Sequence, residues 1–170
     1  MLEAHELSRW PEAIPHSRPR GAKALGKRFE GAVAKQLPTY RRGVWWSFRD
    51  ANGPGLCQTD LLLVESWATI LECKHTWTPE GLDQLRYLYM PVVSRATGKH
   101  TIGIQICKNL ALNGIGSAVF TDLDEAINFA RLNSVVVTVH WRGYTPLSTE
   151  PKTKTLTKTK LRIMQESLHG

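Results

Sequence analysis

Between Ala22 and Leu37 apolar residues recur every fourth position, at Leu25, Phe29, Val33 and Leu37. That spacing predicts a helix with one buried face. Pro38 ends it, because proline has no amide to give to a helix interior. The period then changes. "GVWWSF" (43–48) is rich in aromatic and β-branched residues and predicts a first strand. "RDANGPG" (49–55) predicts a turn or loop by composition. Leu56–Val64 and Ala68–Cys73 are two apolar runs that read as a β-hairpin.

Thr78-Pro79-Glu80 then reads as an N-cap, a proline at the first helical position and an acid in the first turn. Leu82, Leu85 and Leu88 supply the apolar stripe, and Pro91 limits or kinks the helix. "TIGIQI" (101–106) alternates as a strand. "TDLDEAINFARL" (121–132) predicts a helix opened by Thr121 or Asp122, with Asp122 and Glu125 in capping-box spacing. "VVVTVHW" (135–141) predicts a last strand. The expected fold is α/β (α+β): a mixed sheet of about five strands flanked by helices. The expected domain runs over 21–146, between an N-terminal arm (1–20) containing three prolines and a basic C-terminal tail (147–170).

Composition narrows the function. A length of 170 residues suits one domain. No apolar run approaches the roughly 20 residues of a membrane span, and the first twenty residues do not read as a secretory signal. Three widely spaced cysteines fit a reducing compartment, so the expected location is the cytoplasm. Cys73 and His75 are the one close pair of zinc-type ligands, and no second pair completes a zinc site. The net charge of +7 is unevenly spread: residues 1–49 carry +6, residues 150–170 carry +3 and the middle carries −2. Basic ends around an acidic centre fit a chain that holds a polyanion. A solvated surface with basic tails is the ordinary alternative.

The central hairpin carries Asp60, Glu72 and Lys74 in otherwise apolar strands, where charge is costly to desolvate. Glu72 and Lys74, two apart on one strand, share a face. If the hairpin loop holds three residues (Glu65, Ser66, Trp67), Val64 opposes Ala68 and Asp60 opposes Glu72. A two-residue loop sends Glu72 to the other face. In the first register two carboxylates converge. Such a pair suits Mg²⁺, which is usually held through one or two carboxylates and water, and a nearby ammonium suits charge building on a phosphate oxygen.

Asp60…Glu72-Cys73-Lys74 resembles the D…(D/E)-x-K signature of the PD-(D/E)XK nuclease superfamily. Gly26-Lys27-Arg28-Phe29-Glu30 is similar to the helix-1 glutamate motif of many members, and Gln84 matches a glutamine they often place beside the site. The resemblance covers about residues 22–108. It implies a restriction-endonuclease-like core in αβββαβ order and Mg²⁺-dependent DNA endonuclease activity, with Mn²⁺ able to substitute. It also implies Asp60 and Glu72 as metal ligands, Lys74 at the attacking water, and Glu30 and Gln84 completing the catalytic set. Small size and the helix motif are most similar to Holliday-junction resolvases and phage-type endonucleases, which implies selectivity for junction or branched DNA and a bacterial or phage-infected host cell. Thr59 stands where many members have proline, and Leu88 follows Gln84 by four, with Tyr87 and Tyr89 on either side.

The expected partner is DNA, contacted by Lys23, Lys27, Arg28 and His75 and by tail lysines Lys152, Lys154, Lys158 and Lys160. No membrane partner is expected, and a homodimer would supply the two sites that a junction or double-strand cut requires. The alternatives are a non-catalytic DNA-binding or packaging accessory protein that keeps the fold, and a restriction or end-processing nuclease. Taken singly, the residues have ordinary readings. Glu72-Cys73-Lys74 fits a solvated edge strand, Asp60 a strand-end cap, Glu30 and Gln84 water-facing helix positions. One of Trp45 and Trp46 must be core, since neighbours on a strand face opposite ways. "GAKALGKR" (21–28) approaches a phosphate loop, but Arg28 replaces the required hydroxyl and no strand precedes it. Gly114-Ile115-Gly116 is too short a signal for dinucleotide binding.

Overall fold

The structure is a computed structural model that describes residues 1–8, 21–110 and 117–145. The chain runs β1 (Glu3–Glu6), α1 (Ala22–Gln36), β2 (Arg41–Asp50), β3 (Gly53–Val64), β4 (Trp67–Thr76) and α2 (Pro79–Gln84). A π-helical turn (Leu85–Tyr89) leads into α3 (Met90–Thr97), then β5 (His100–Asn109), β6 (Val119–Phe120), α4 (Leu123–Asn133) and β7 (Val137–His140). Among the described residues seven strands form one mixed sheet in the order β1-β2-β3-β4-β5-β7-β6. β1 to β4 are antiparallel to their neighbours, and β4, β5, β7 and β6 run parallel.

The mixed α/β architecture is found as expected; the expected five strands and plain αβββαβ order are not. β1 lies inside the segment expected to be an unstructured arm, where Ala4 packs into the core and Glu3–Glu6 pairs with Trp46–Arg49. β6 adds two residues at the other edge. The expected loop over 49–55 shrinks to Ala51 and Asn52, because strand pairing continues from Arg49↔Pro54 to Asp50↔Gly53. Asp50 Oδ1 accepts from the Asn52 amide at 2.8 Å, a turn closed by its own side chain.

Two apolar layers sandwich the sheet. On one face, Phe29, Val33 and Leu37 of α1 and Leu123, Ala126 and Ala130 of α4 cover Leu61, Leu71, Ile104, Ile106 and Val139. On the other, Leu82, Leu85, Tyr89, Val92 and Val93 cover Trp46, Leu62, Ala68 and Ile70. Trp46 is thus the core member of the tryptophan pair, its Nε1 donating to Thr59 Oγ1 at 3.1 Å.

Thr78 caps α2 as expected, its hydroxyl accepting from the Gly81 amide at 3.1 Å. Asp122 caps α4 through the Asp124 amide at 3.0 Å rather than through a box with Glu125. Pro91 neither ends nor breaks its helix. The π turn widens the coil just before it, and the Met90 amide donates back to Leu85 O. A wider turn relieves the clash a proline ring makes with the carbonyl of the preceding turn. Gly103 lets this helix lie close on β5, since a Cβ there would meet Met90 Sδ at 2.9 Å. No helix among the described residues is long and apolar enough to cross a membrane.

Candidate active site

The site begins where the sheet comes apart. The β3–β4 ladder pairs Val64↔Ala68, Leu63↔Thr69, Leu62↔Ile70 and Leu61↔Leu71, then stops. This is the three-residue-loop register, in which the next opposed pair is Asp60 and Glu72. Beyond it β3 stays with β2, while β4 stays with β5. The β2–β3 ladder also skips the position of Asp60, where Gly43 stands opposite in the left-handed region at φ 67°. Asp60 fills the gap: its Oδ2 accepts from the freed Cys73 amide at 2.9 Å.

Glu72 is 5% exposed, and its Oε2 is buried with no hydrogen-bond partner. Its Oε1 lies 3.9 Å from Lys74 Nζ. Glu30 comes in from α1, 6% exposed, and its Oε2 accepts from Arg42 Nε at 2.8 Å. The same oxygen lies 2.7 Å from Arg42 Nη2 and 3.6 Å from Lys27 Nζ. Glu30 is therefore paired with two cations, while Lys74 lies by Glu72 and Asp60 has the carboxyls of Glu30 and Glu72 for neighbours.

The protonation energetics reflect that imbalance. Burial, then Glu30, pushes the Asp60 carboxyl up from 3.8 to about 7, against the pull of the Cys73 amide. Burial and the Asp60 charge hold Glu72 well above the usual carboxylate range, with Lys74 opposing. Desolvation and nearby carboxylates disfavour the charged form of a carboxyl and so raise its pKa. The Cys73 thiol is likewise raised by burial and by Asp60. Tyr89, on the π turn, is raised by burial and then by Glu72 and Asp60, which places it within their field.

A cavity of about 510 Å³ opens at the split, lined by Lys23, Gly26, Lys27, Glu30, Asp60, Glu72, Cys73, Lys74, His75 and Thr76. It brings together seven residues that the sequence singled out. Lys23, Lys27 and Glu30 fall there because they sit one and two turns apart on α1. Gln84 is exposed and is not among the lining residues, and Arg28 lines neighbouring concavities instead. Lys152, Lys154, Lys158 and Lys160 lie outside the described residues.

Sequence reasoning missed three residues around the site. Arg42 holds Glu30; the only signal was a basic pair opening a strand. Gln105, opposite Glu72 on β5 and fully buried, donates to Thr78 O at 2.9 Å and accepts from Thr78 N at 3.0 Å, fixing the turn after β4. Tyr89, on the π turn and five positions after Gln84, is buried within the field of Glu72 and Asp60.

Among the described residues, no three His, Cys, Asp or Glu donors converge into a metal cage. Mg²⁺ does not require one: it keeps several waters and takes one or two carboxylates plus substrate oxygens. The donor set fits that ion, with all-oxygen ligands and a buried carboxylate oxygen that lacks a hydrogen bond. No family model and no curated protein matches this chain. Among solved structures, protein VC1899 from Vibrio cholerae is similar at 14% identity and a TM-score of 0.34, over 69% of this chain and 29% of that one. The chain thus spans under a third of that protein, and at such a score the likeness carries no weight.

Proposed function

We propose that this chain is a Mg²⁺-dependent DNA endonuclease that hydrolyses phosphodiester bonds. One observation supports the reading most: Glu72 Oε2, buried without a partner, beside Asp60 at the mouth of a cavity walled by lysines. An uncompensated buried carboxylate costs several kcal/mol unless a cation neutralises it.

A bound Mg²⁺ would activate a water and offset charge on a phosphate oxygen. Asp60 and Glu72 would hold it. Lys23, Lys27 and His75 draw the DNA backbone over the cavity, and Glu30, fixed by Arg42, keeps Lys27 aimed there. Lys74 stands at the water and stabilises the phosphorane as negative charge builds. The water gives up a proton to solvent as its oxygen bonds to phosphorus, the phosphorus–oxygen bond to the leaving strand breaks, and the leaving oxygen takes up a proton from solvent. One site cuts one strand, so a junction or double-strand cut would need a second copy of the chain.

The test is incubation with linear, nicked, supercoiled and four-way-junction DNA in Mg²⁺, alongside Asp60→Asn, Lys74→Ala and chelator. Cleavage by the wild-type chain alone is expected, and the preferred substrate names its role. Intact DNA under every condition, with binding that weakens in salt, overturns the reading in favour of a DNA-binding accessory protein.

A further inference from the structure

A second cavity, of about 340 Å³, adjoins the first and shares His75 with it. It is lined by Leu25, Arg28, Phe29, Ala32, His75, Lys108 and Trp141. That volume is at the small end of ligand pockets.

Its position follows from the sheet. β4, β5 and β7 run parallel side by side, and their registers align Lys74 with Cys107 and Cys107 with His140. One residue further on, His75, Lys108 and Trp141 form a row across the carboxyl ends of the three strands, where open α/β sheets bind ligands. The Trp141 amide donates to Cys107 O at 2.9 Å, which continues the pairing of this segment with β5. Helix α1 closes the opposite wall. Leu25, the one member of its apolar stripe that the core does not take, is 43% exposed at this opening.

The chemistry is that of a nucleotide site. Apolar and aromatic walls (Leu25, Phe29, Trp141) suit the face of a base, Arg28 and Lys108 suit its phosphate, and among the described residues no acid lines the cavity. Cation-lined grooves with aromatic platforms hold single-stranded nucleic acid without asking for a sequence. Stacked base pairs present no free base face to such a wall.

We infer that this cavity receives an unpaired DNA nucleotide next to the phosphate that is cut, so that the chain selects DNA with an unpaired arm at the cut site. The inference rests on the nuclease reading for the neighbouring cavity, and names the substrate class of that site.

The test uses the full chain carrying Asp60→Asn, so that DNA survives, in chelator, with blunt duplex and forked oligonucleotides. A 2-aminopurine in the unpaired arm reports stacking. The fork should bind about tenfold more tightly than the duplex, the order expected of one stacked base, with its fluorescence quenched. Trp141→Ala should remove both effects and Trp141→Phe should keep most of each. Lys108→Ala, at an exposed position, should weaken the fork more than the duplex, and it decides the matter if Trp141→Ala does not fold. Equal affinity for fork and duplex, or a quench unchanged by Trp141→Ala, overturns the inference. The wild-type chain in Mg²⁺ separates the two claims. A fork preference without cleavage keeps the cavity and sinks the nuclease; cleavage without any fork preference sinks the cavity alone.

Discussion

Replacing Asp60 by asparagine should make the metal-free protein more stable. The carboxyl is pushed from 3.8 to about 7 in the fold, so the folded chain holds that proton more tightly than the unfolded one. Between those two values stability falls as pH rises, because the native state binds more protons there. Above pH 7 the full penalty is present. Three pK units correspond to roughly 4 kcal/mol as an upper bound. Asparagine keeps an oxygen for the Cys73 amide but loses the charge assistance of that bond, worth about 1 kcal/mol. A net gain of about 2–3 kcal/mol remains, or about 5–10 °C in melting temperature for a chain of this length.

The assay is thermal denaturation in chelator from pH 4 to pH 8, with and without saturating Mg²⁺. In chelator the wild-type chain should lose stability across that range, and Asp60→Asn should flatten much of the slope. Mg²⁺ should raise the wild-type melting temperature at pH 8, by mass action on the folded state, and leave Asp60→Asn nearly unmoved. A variant less stable than wild type at pH 8 in chelator would refute the reasoning, as would an unchanged pH slope.

Lys74→Ala should reduce cleavage by about 10²- to 10³-fold, the usual cost of one charge-stabilising donor, while DNA affinity changes little; single-turnover cleavage and anisotropy check it together. Arg42→Ala leaves Glu30 buried with Lys27 alone and should cost about 3 kcal/mol in urea denaturation. Arg42→Lys should recover only part of that, since an ammonium cannot offer the two-nitrogen fork. Gln105→Ala strands both backbone groups of Thr78 and should cost about 2–3 kcal/mol, read in the same assay. Cys73 should resist alkylation at pH 8 in the native chain and react on denaturation, because burial raises its thiol and only the thiolate attacks.

Local regularities in the sequence anticipated much of this molecule, and long-range ones did not. Phe29, Val33 and Leu37 predicted the buried face of α1 because four-residue spacing is a property of the helix itself. The hairpin register followed from parity: once the loop holds three residues, Asp60 and Glu72 must oppose. β1 escaped because a four-residue edge strand, EAHE, buries one side chain and sits in a proline-rich segment. The π turn escaped because it shifts the helical phase midway, so that Tyr89 is buried and Gln84 is left outside. Arg42 with Glu30, and the row His75, Lys108 and Trp141, exist only once strand order is known. Pairing β4 with β5 and β5 with β7 depends on crossovers that no local pattern encodes.

The same limit explains why the charges sit where they do. A carboxylate inside a continuous antiparallel pair would face apolar neighbours, with no spare donor to meet it. At Asp60 both ladders lapse, and the backbone itself supplies what is missing. Gly43, left-handed and without a side chain, lets β2 pass the gap; a Cβ there would press on Gln58 Nε2 at 2.9 Å. The parting of β3 from β4 leaves the Cys73 amide without a strand partner, and Asp60 takes it. Opening the sheet thus satisfies one carboxylate and leaves the next, Glu72, short of a partner in a buried place. On the proposed reading, that gap is where a cation would sit.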